Sequence, residues 1–147
     1  MDFFLWRHAN AAAGASDFER ELSPLGHQQA GKAAEWLRQH APAGLRIFVS
    51  PAVRARQTVA HFCDDENNIQ LCTPLYENSS PNEILTMLGW PDISSPVLIV
   101  GHQPMMGILA GRLLADTPCP ASFRTGALWW LRFEKGGQNQ LMNVLEP

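Results

Sequence analysis

Four consecutive aliphatic residues, Val97-Leu98-Ile99-Val100, run straight into Gly101-His102-Gln103-Pro104 and then into the helical spacing of Met106, Leu109, Ala110 and Leu113. No other feature constrains the fold of this chain as tightly. A short apolar run bounded by turn residues describes a strand covered on both faces, and a strand feeding a helix is half of a β-α-β unit. The same order recurs upstream. Phe3 to Trp6 predicts a buried strand, and residues 9 to 20, small and polar, predict a loop. Ser23-Pro24 starts a helix whose apolar face is Ala30, Ala33, Ala34, Leu37 and Ala41, and Pro42 and Gly44 end it.

Ile47-Phe48-Val49 reads as a second strand, with Ser50-Pro51 as N-cap and first-turn proline of a helix carrying Ala55, Val59, Phe62 and Cys63. Ile69 to Cys72 reads as a third, short strand, and Ser80-Pro81-Asn82-Glu83 as a capping box ahead of Ile84, Leu85 and Leu88. Ala127 to Phe133 and Leu141 to Val144 read as two closing strands joined by a turn at Gly136-Gly137. Strands alternating with helices predict a three-layer α/β/α fold, a mostly parallel central sheet flanked by helices, with residues 1–147 forming a single domain.

Composition excludes several classes of function. A chain of 147 residues buries roughly 70% of the surface it exposes when unfolded, so a full core is expected. Eleven Lys and Arg stand against fourteen Asp and Glu, only two of the cations (Lys32 and Lys135) are lysines, and none are densely clustered. Nucleic acid is therefore not an expected partner, since backbone affinity comes from clustered cations. Cys63, Cys72 and Cys119 make no CxxC pair, so thiols in a reducing compartment are expected. The apolar run at the N-terminus is too short for a signal peptide core or a membrane span, and the expected location is the cytoplasm.

In open α/β sheets ligands bind beyond the carboxyl ends of the strands. Arg7 and His8 end the first strand, Arg54 falls in the first turn after the second, Glu77 follows the third, and His102 follows the fourth. Two arginines, two histidines and a carboxylate are thus expected at one sheet edge, although such residues avoid burial unless paired. The set suits phosphoryl transfer. Two guanidinium groups can grip a phosphoryl group through charge-assisted bonds, and a neutral imidazole can attack phosphorus to form a covalent phospho-enzyme. A second imidazole can stabilise the transferring oxygens, N–H groups of the helix after His102 can hold an anion, and a carboxylic acid can protonate the leaving group.

Four segments carry a resemblance to the histidine phosphatase (phosphoglycerate mutase-like) superfamily: Leu5-Trp6-Arg7-His8-Ala9, Leu22 to Ala30, Ser50-Pro51-Ala52-Val53-Arg54-Ala55-Arg56-Gln57-Thr58, and Val100-Gly101-His102. The resemblance implies that His8 is the nucleophile and that Arg7, Arg54 and His102 line the phosphate pocket. The compact length, Arg-His-Ala at the nucleophile, and the stretch Asp17 to Ser23 resemble the short bacterial phosphohistidine phosphatases of the SixA type. That likeness implies a phosphorylated, phosphohistidine-bearing signalling protein as partner, with a small phosphate ester or a non-catalytic phosphate-binding role as alternatives. No cofactor and no metal are implied. Where one branch of the superfamily carries an acidic Asp after the second His this chain has Gln103, which leaves Glu77 as the candidate proton donor. Arg20 is a further candidate for substrate contact.

The remaining histidines, His27, His40 and His61, read as structural or exposed helix residues. Of Trp129-Trp130, one ring is expected in the core and the other at the surface. The segment Gly26 to Ala33 nearly spells the nucleotide-binding GxxxxGK[ST] loop, but Ala33 lacks the metal-binding hydroxyl and the segment lies inside a helix. Cysteine phosphatase chemistry is excluded because no Cys is followed six residues later by Arg, and the chain has no HExxH.

Overall fold

The computed structural model describes residues 1–77, 80–115, 122–134 and 139–147. Its elements are β1 (Asp2–Arg7), α1 (Pro24–His40), β2 (Arg46–Val49), α2 (Val53–Ala60), β3 (Ile69–Leu71), α3 (Pro81–Leu88), β4 (Val97–Gly101), α4 (Met105–Ala115), β5 (Leu128–Arg132) and β6 (Gln140–Leu145). The six strands form one sheet in the order β3-β2-β4-β1-β5-β6. The first four in that order are mutually parallel, and β5 and β6 are antiparallel. The predicted three-layer, mostly parallel α/β architecture is therefore the observed one. Among the described residues, no helix is long and apolar enough to cross a membrane.

Alternation along each strand divides the core in two. Phe4, Trp6, Ile47, Val49, Leu98 and Val100 face α1 and α2, meeting Ala30, Ala33, Ala34, Leu37, Ala55 and Val59. Phe3, Leu5, Phe48, Val97 and Ile99 face the opposite layer, meeting Ile84, Leu85, Leu88, Met106 and Leu109. All four aliphatics of β4 are fully buried, as an interior strand requires. The predicted caps of α1 and α3 are present: Ser23 Oγ accepts the Gly26 N–H at 3.0 Å and Ser80 Oγ accepts the Glu83 N–H at 3.2 Å.

Two expectations are corrected. Ser50-Pro51 does not cap α2; the helix starts at Val53 behind Ala52, which makes no side-chain cap. The Ser50 hydroxyl is held instead by the His102 ring. Trp129 and Trp130 do not divide into a core ring and a surface ring. Both are half-buried, one on each face, because β5 alternates and both of its faces are partly covered. Trp129 stacks on Phe123 at 4.4 Å, and Trp130 stacks on Phe4 at 5.7 Å. The Gly136-Gly137 turn and Cys119 lie outside the described residues.

Candidate active site

Sheet register builds the centre of the site. β1 and β4 are adjacent and parallel, with Arg7 opposite Gly101, so His8 and His102 leave the sheet side by side. The His8 N–H donates to Gly101 O at 2.9 Å, and the two imidazole centroids stand 5.0 Å apart. β2 pairs with β4 on its other side through Val49 and Val100, which brings Ser50 beside His102. Two residues of turn then deliver Arg54 in the first turn of α2, pointing back to the same place. His8, Arg54 and His102 are each buried, at 6 to 7% exposure.

The hydrogen bonds define the protonation of both rings. His8 Nδ1 lies 2.8 Å from Ala9 O, which can only accept, so the ring hydrogen sits on Nδ1 and Nε2 keeps its lone pair. The Arg54 Nε–H donates toward that Nε2 at 3.4 Å. Burial, with Arg54, Arg7 and Arg20 adding to it against the Ala9 bond, lowers the His8 pKa to about 4. Ser50 Oγ accepts the Ala52 N–H at 3.3 Å and stands 2.7 Å from His102 Nε2, within hydrogen-bond reach of the ring. With the Ser50 hydroxyl as the donor in this pair, the His102 hydrogen sits on Nδ1. Burial first, and then the neighbouring His8 and Arg54, lower its pKa to about 3. Both rings are neutral at pH 7.

Four buried side-chain nitrogens lack partners among the described residues, Trp6 Nε1, Trp129 Nε1, Arg7 Nε and His102 Nδ1, and the last two belong to the site. Arg7 is otherwise anchored, its Nη1 donating to Phe123 O at 2.7 Å. Leaving a buried donor unpaired costs about 1–3 kcal/mol, and an oxyanion placed beside His8 Nε2 could relieve it at both. The helix after His102 contributes less than expected to anion binding. The Met106 N–H already donates to His102 O at 3.0 Å and the Gly107 N–H to Gln103 Oε1 at 2.8 Å.

The loop predicted over residues 9 to 20 is closely tied down. Ala11 bridges Leu22, Asn10 O accepts the Ser23 N–H at 3.0 Å, and Phe18 O accepts the Val53 N–H at 3.1 Å. These bonds bring Asp17 onto Arg54, whose Nη1 donates to Asp17 O at 2.6 Å and whose Nη2 meets the Asp17 carboxylate at 3.2 Å. The Tyr76 hydroxyl donates to the same carboxylate oxygen at 3.1 Å. Partial desolvation opposes ionisation of Asp17, but the bond to Arg54, with Tyr76 and Arg20, holds its pKa below the usual carboxylate value. Below Arg54, the Thr58 hydroxyl donates to Arg54 O at 2.7 Å and accepts the Ala9 N–H at 3.0 Å, tying α2 to the turn after His8.

The structure thus brings Arg7, His8, Arg54 and His102 together. Arg20 lies one step out, with its Nε donating to Ala12 O at 3.0 Å and its Nη1 3.5 Å from Asp17. Glu77 is exposed in the turn after Leu75, and among the described residues no bond joins its carboxylate to either imidazole. Sequence reasoning missed Ser50, Thr58 and Tyr76 as parts of the site, and assigned Asp17 no role. Thr58 could have been found, because it lies one helical turn after Arg54 on the same face. Asp17 sat inside a segment singled out by resemblance, but only the folded loop shows that it reaches Arg54.

A pH dependence of stability follows from the two imidazoles. Both folded pKa values, about 4 and about 3, lie below the ordinary 6.5, so the unfolded chain binds more protons between these limits. Stability is fully present above pH 6.5 and falls as pH drops toward 4. For His8 alone the loss is on the order of 3 kcal/mol. Urea melts at pH 7.5 and 4.5 check this; an unchanged midpoint would contradict neutral, buried rings.

The arrangement is that of an anion pocket with a neutral imidazole at its floor. A family model described as the histidine phosphatase superfamily (branch 1) matches residues 3–79. The phosphohistidine phosphatase SixA of Escherichia coli is 29% identical over an alignment covering 100% of this chain and 94% of that protein. An uncharacterized protein of Mycobacterium tuberculosis is 36% identical over 71% of this chain; the match covers 66% of that relative, less than two thirds of its length. Among solved structures, the protein histidine phosphatase SixA complexed with tungstate superposes with a TM-score of 0.82 at 26% identity, covering 99% of this chain and 96% of that one.

Proposed function

The chain belongs to the histidine phosphatase superfamily, and from that premise we propose that it is a phosphohistidine phosphatase working through a phosphoryl group carried on His8. The observation that carries this reading is the state of His8. Its Nδ1–H is committed to Ala9 O, and its unprotonated Nε2 faces the Arg54 guanidinium.

His8 Nε2 attacks phosphorus, and the bond from phosphorus to the leaving group breaks. Arg7 and Arg54 bind the phosphoryl oxygens, and the His102 Nδ1–H donates to one of them. Arg20 adds positive charge toward the same anion. Water then attacks the phosphorus on His8, releasing inorganic phosphate and returning the neutral imidazole. No metal or cofactor is required by this sequence of steps.

The leaving group decides the substrate. Asp17 is held ionised by Arg54 and is a poor acid, and among the described residues no bond ties the Glu77 carboxylate to either imidazole. Glu77 is the proposed proton donor for ester substrates, from its turn beside Tyr76. A phosphoramidate needs that donor less, because protonation on its own nitrogen already activates departure. This favours phosphohistidine on a phosphotransfer protein, as does similarity over the whole chain to the phosphohistidine phosphatase of E. coli. Free Cys63 and Cys72 fit work in the reducing cytoplasm.

Incubating the protein with a histidine-phosphorylated phosphotransfer domain, a sugar phosphate and an aryl phosphate tests the reading. The expected result is fastest loss of phosphohistidine. Preference for the small esters would make it a metabolite phosphatase instead, and no turnover of any substrate would make it a phosphate-binding regulator. Asp17→Asn keeps the loop's shape but removes the charge that aligns Arg54. We expect it to lower kcat/KM by about ten-fold, measured by phosphate release.

A further inference from the structure

The rim of the site carries a pair of aromatic rings that neither the nucleophile nor the phosphate clamp uses, although the hydroxyl of one is bonded to Asp17. Phe18 follows Asp17 directly, and its carbonyl bond to the Val53 N–H fixes it over the start of α2. Its ring meets Tyr76 edge to face, with centroids 5.2 Å apart at 85°. Tyr76 in turn lies edge-on to His102, with centroids 5.7 Å apart, and its hydroxyl is bonded to Asp17. Exposure rises outward along this path, from 6% at His102 to 38% at Phe18. One exposed phenylalanine needs no ligand to explain it. Here the edge contact to a tyrosine bordering the imidazole pair gives the surface a direction: it lies where a group leaving phosphorus toward solvent would pass.

We infer that Phe18 and Tyr76 form the receiving surface for the leaving group, and that this group is the imidazolium ring of a phosphohistidine. The inference rests on the phosphohistidine reading above and adds the residues that recognise the ring. In the transfer step the lone pair of His8 Nε2 forms a new N–P bond while the substrate's N–P bond breaks. The electron pair of the broken bond stays on the substrate ring nitrogen. The proton already on that ring's other nitrogen remains there, so the ring departs as neutral imidazole with no external acid. Before cleavage the ring is planar and cationic, and aromatic faces attract such a group. A ringless phosphoramidate or an alkyl ester offers nothing to that surface.

The test compares kcat/KM for a histidine peptide chemically phosphorylated with phosphoramidate against kcat/KM for phosphoramidate itself. Phe18→Leu is expected to lower the ratio of the two by about ten-fold, and Phe18→Tyr to restore it. Tyr76→Phe, which keeps the ring and loses only the hydroxyl bond to Asp17, should leave the ratio near the wild-type value. Equal losses on both substrates in Phe18→Leu, or no loss on either, would overturn the inference while leaving the phosphohistidine reading intact. A wild type that hydrolyses aryl and sugar phosphates but spares phosphohistidine would overturn that reading, and the inference with it.

Discussion

Replacing His8 with alanine is expected to lower kcat/KM by roughly 10³-fold or more, while affinity for inorganic phosphate survives. The proposed nucleophile has no stand-in within the pocket. His102 is the nearest imidazole, but its Nε2 is engaged with the Ser50 hydroxyl at 2.7 Å. Arg7, Arg54 and His102 remain in the variant to bind the anion, so binding and turnover separate. Phosphate affinity by calorimetry and phosphate release by colorimetric assay measure the two. The same variant should lose less stability than wild type between pH 7.5 and 4.5, because one of the two buried rings that resist protonation is gone. Near wild-type turnover in the variant would remove His8 from the mechanism.

Gly26→Ala is expected to have the largest effect on stability, about 3 kcal/mol or more, which lowers Tm by roughly 10 °C. A Cβ at Gly26 would stand 1.9 Å from Asn10 O, a backbone atom that cannot swing aside. Asn10 O also accepts the N–H of Ser23 at 3.0 Å, and the Ser23 hydroxyl donates to Asn10 Oδ1 at 2.6 Å, so displacing Asn10 loosens the cap of α1 and the loop after His8 together. That loop delivers Asp17 to Arg54, and activity should fall with stability. Gly31→Ala on the same helix provides the comparison. Its Cβ would meet only His61 Nδ1 at an ordinary 3.9 Å, and alanine's helix propensity then favours the variant by up to about 1 kcal/mol. Calorimetric melts of the two variants decide it, and equal Tm values would contradict the close approach to Asn10.

These two glycines also mark what a sequence can and cannot disclose. The helix containing both was legible from its Ser-Pro start and alanine face, because capping and periodicity are local properties. The reason Gly26 must be glycine depends on a carbonyl sixteen positions upstream, which no local pattern contains. The site divides in the same way. Arg7, His8, Arg54 and His102 were legible because each ends a strand, directly follows one or opens the next helix, and strand ends of a parallel sheet converge by topology. Ser50 was read as a helix cap because Ser-Pro carries that local meaning; the proximity of β2 to β4 gave its hydroxyl to His102 instead. Tyr76 and the role of Asp17 depended on how two irregular segments fold over α2, which hydrophobic periodicity does not encode. The tryptophan pair was misread because a strand next to the sheet edge can be half-covered on both faces, and composition cannot tell this from one covered face.

The central claim is a covalent phosphoryl group on one nitrogen of one residue. Mixing the protein with a phosphohistidine substrate, quenching within the first turnovers in alkali and mapping the phosphorylated peptide tests it most directly. The account predicts an acid-labile phosphoryl group on Nε2 of His8, absent from His8→Ala. Phosphate on His102 or on Ser50, or turnover with no phosphorylated protein at any time point, would contradict it.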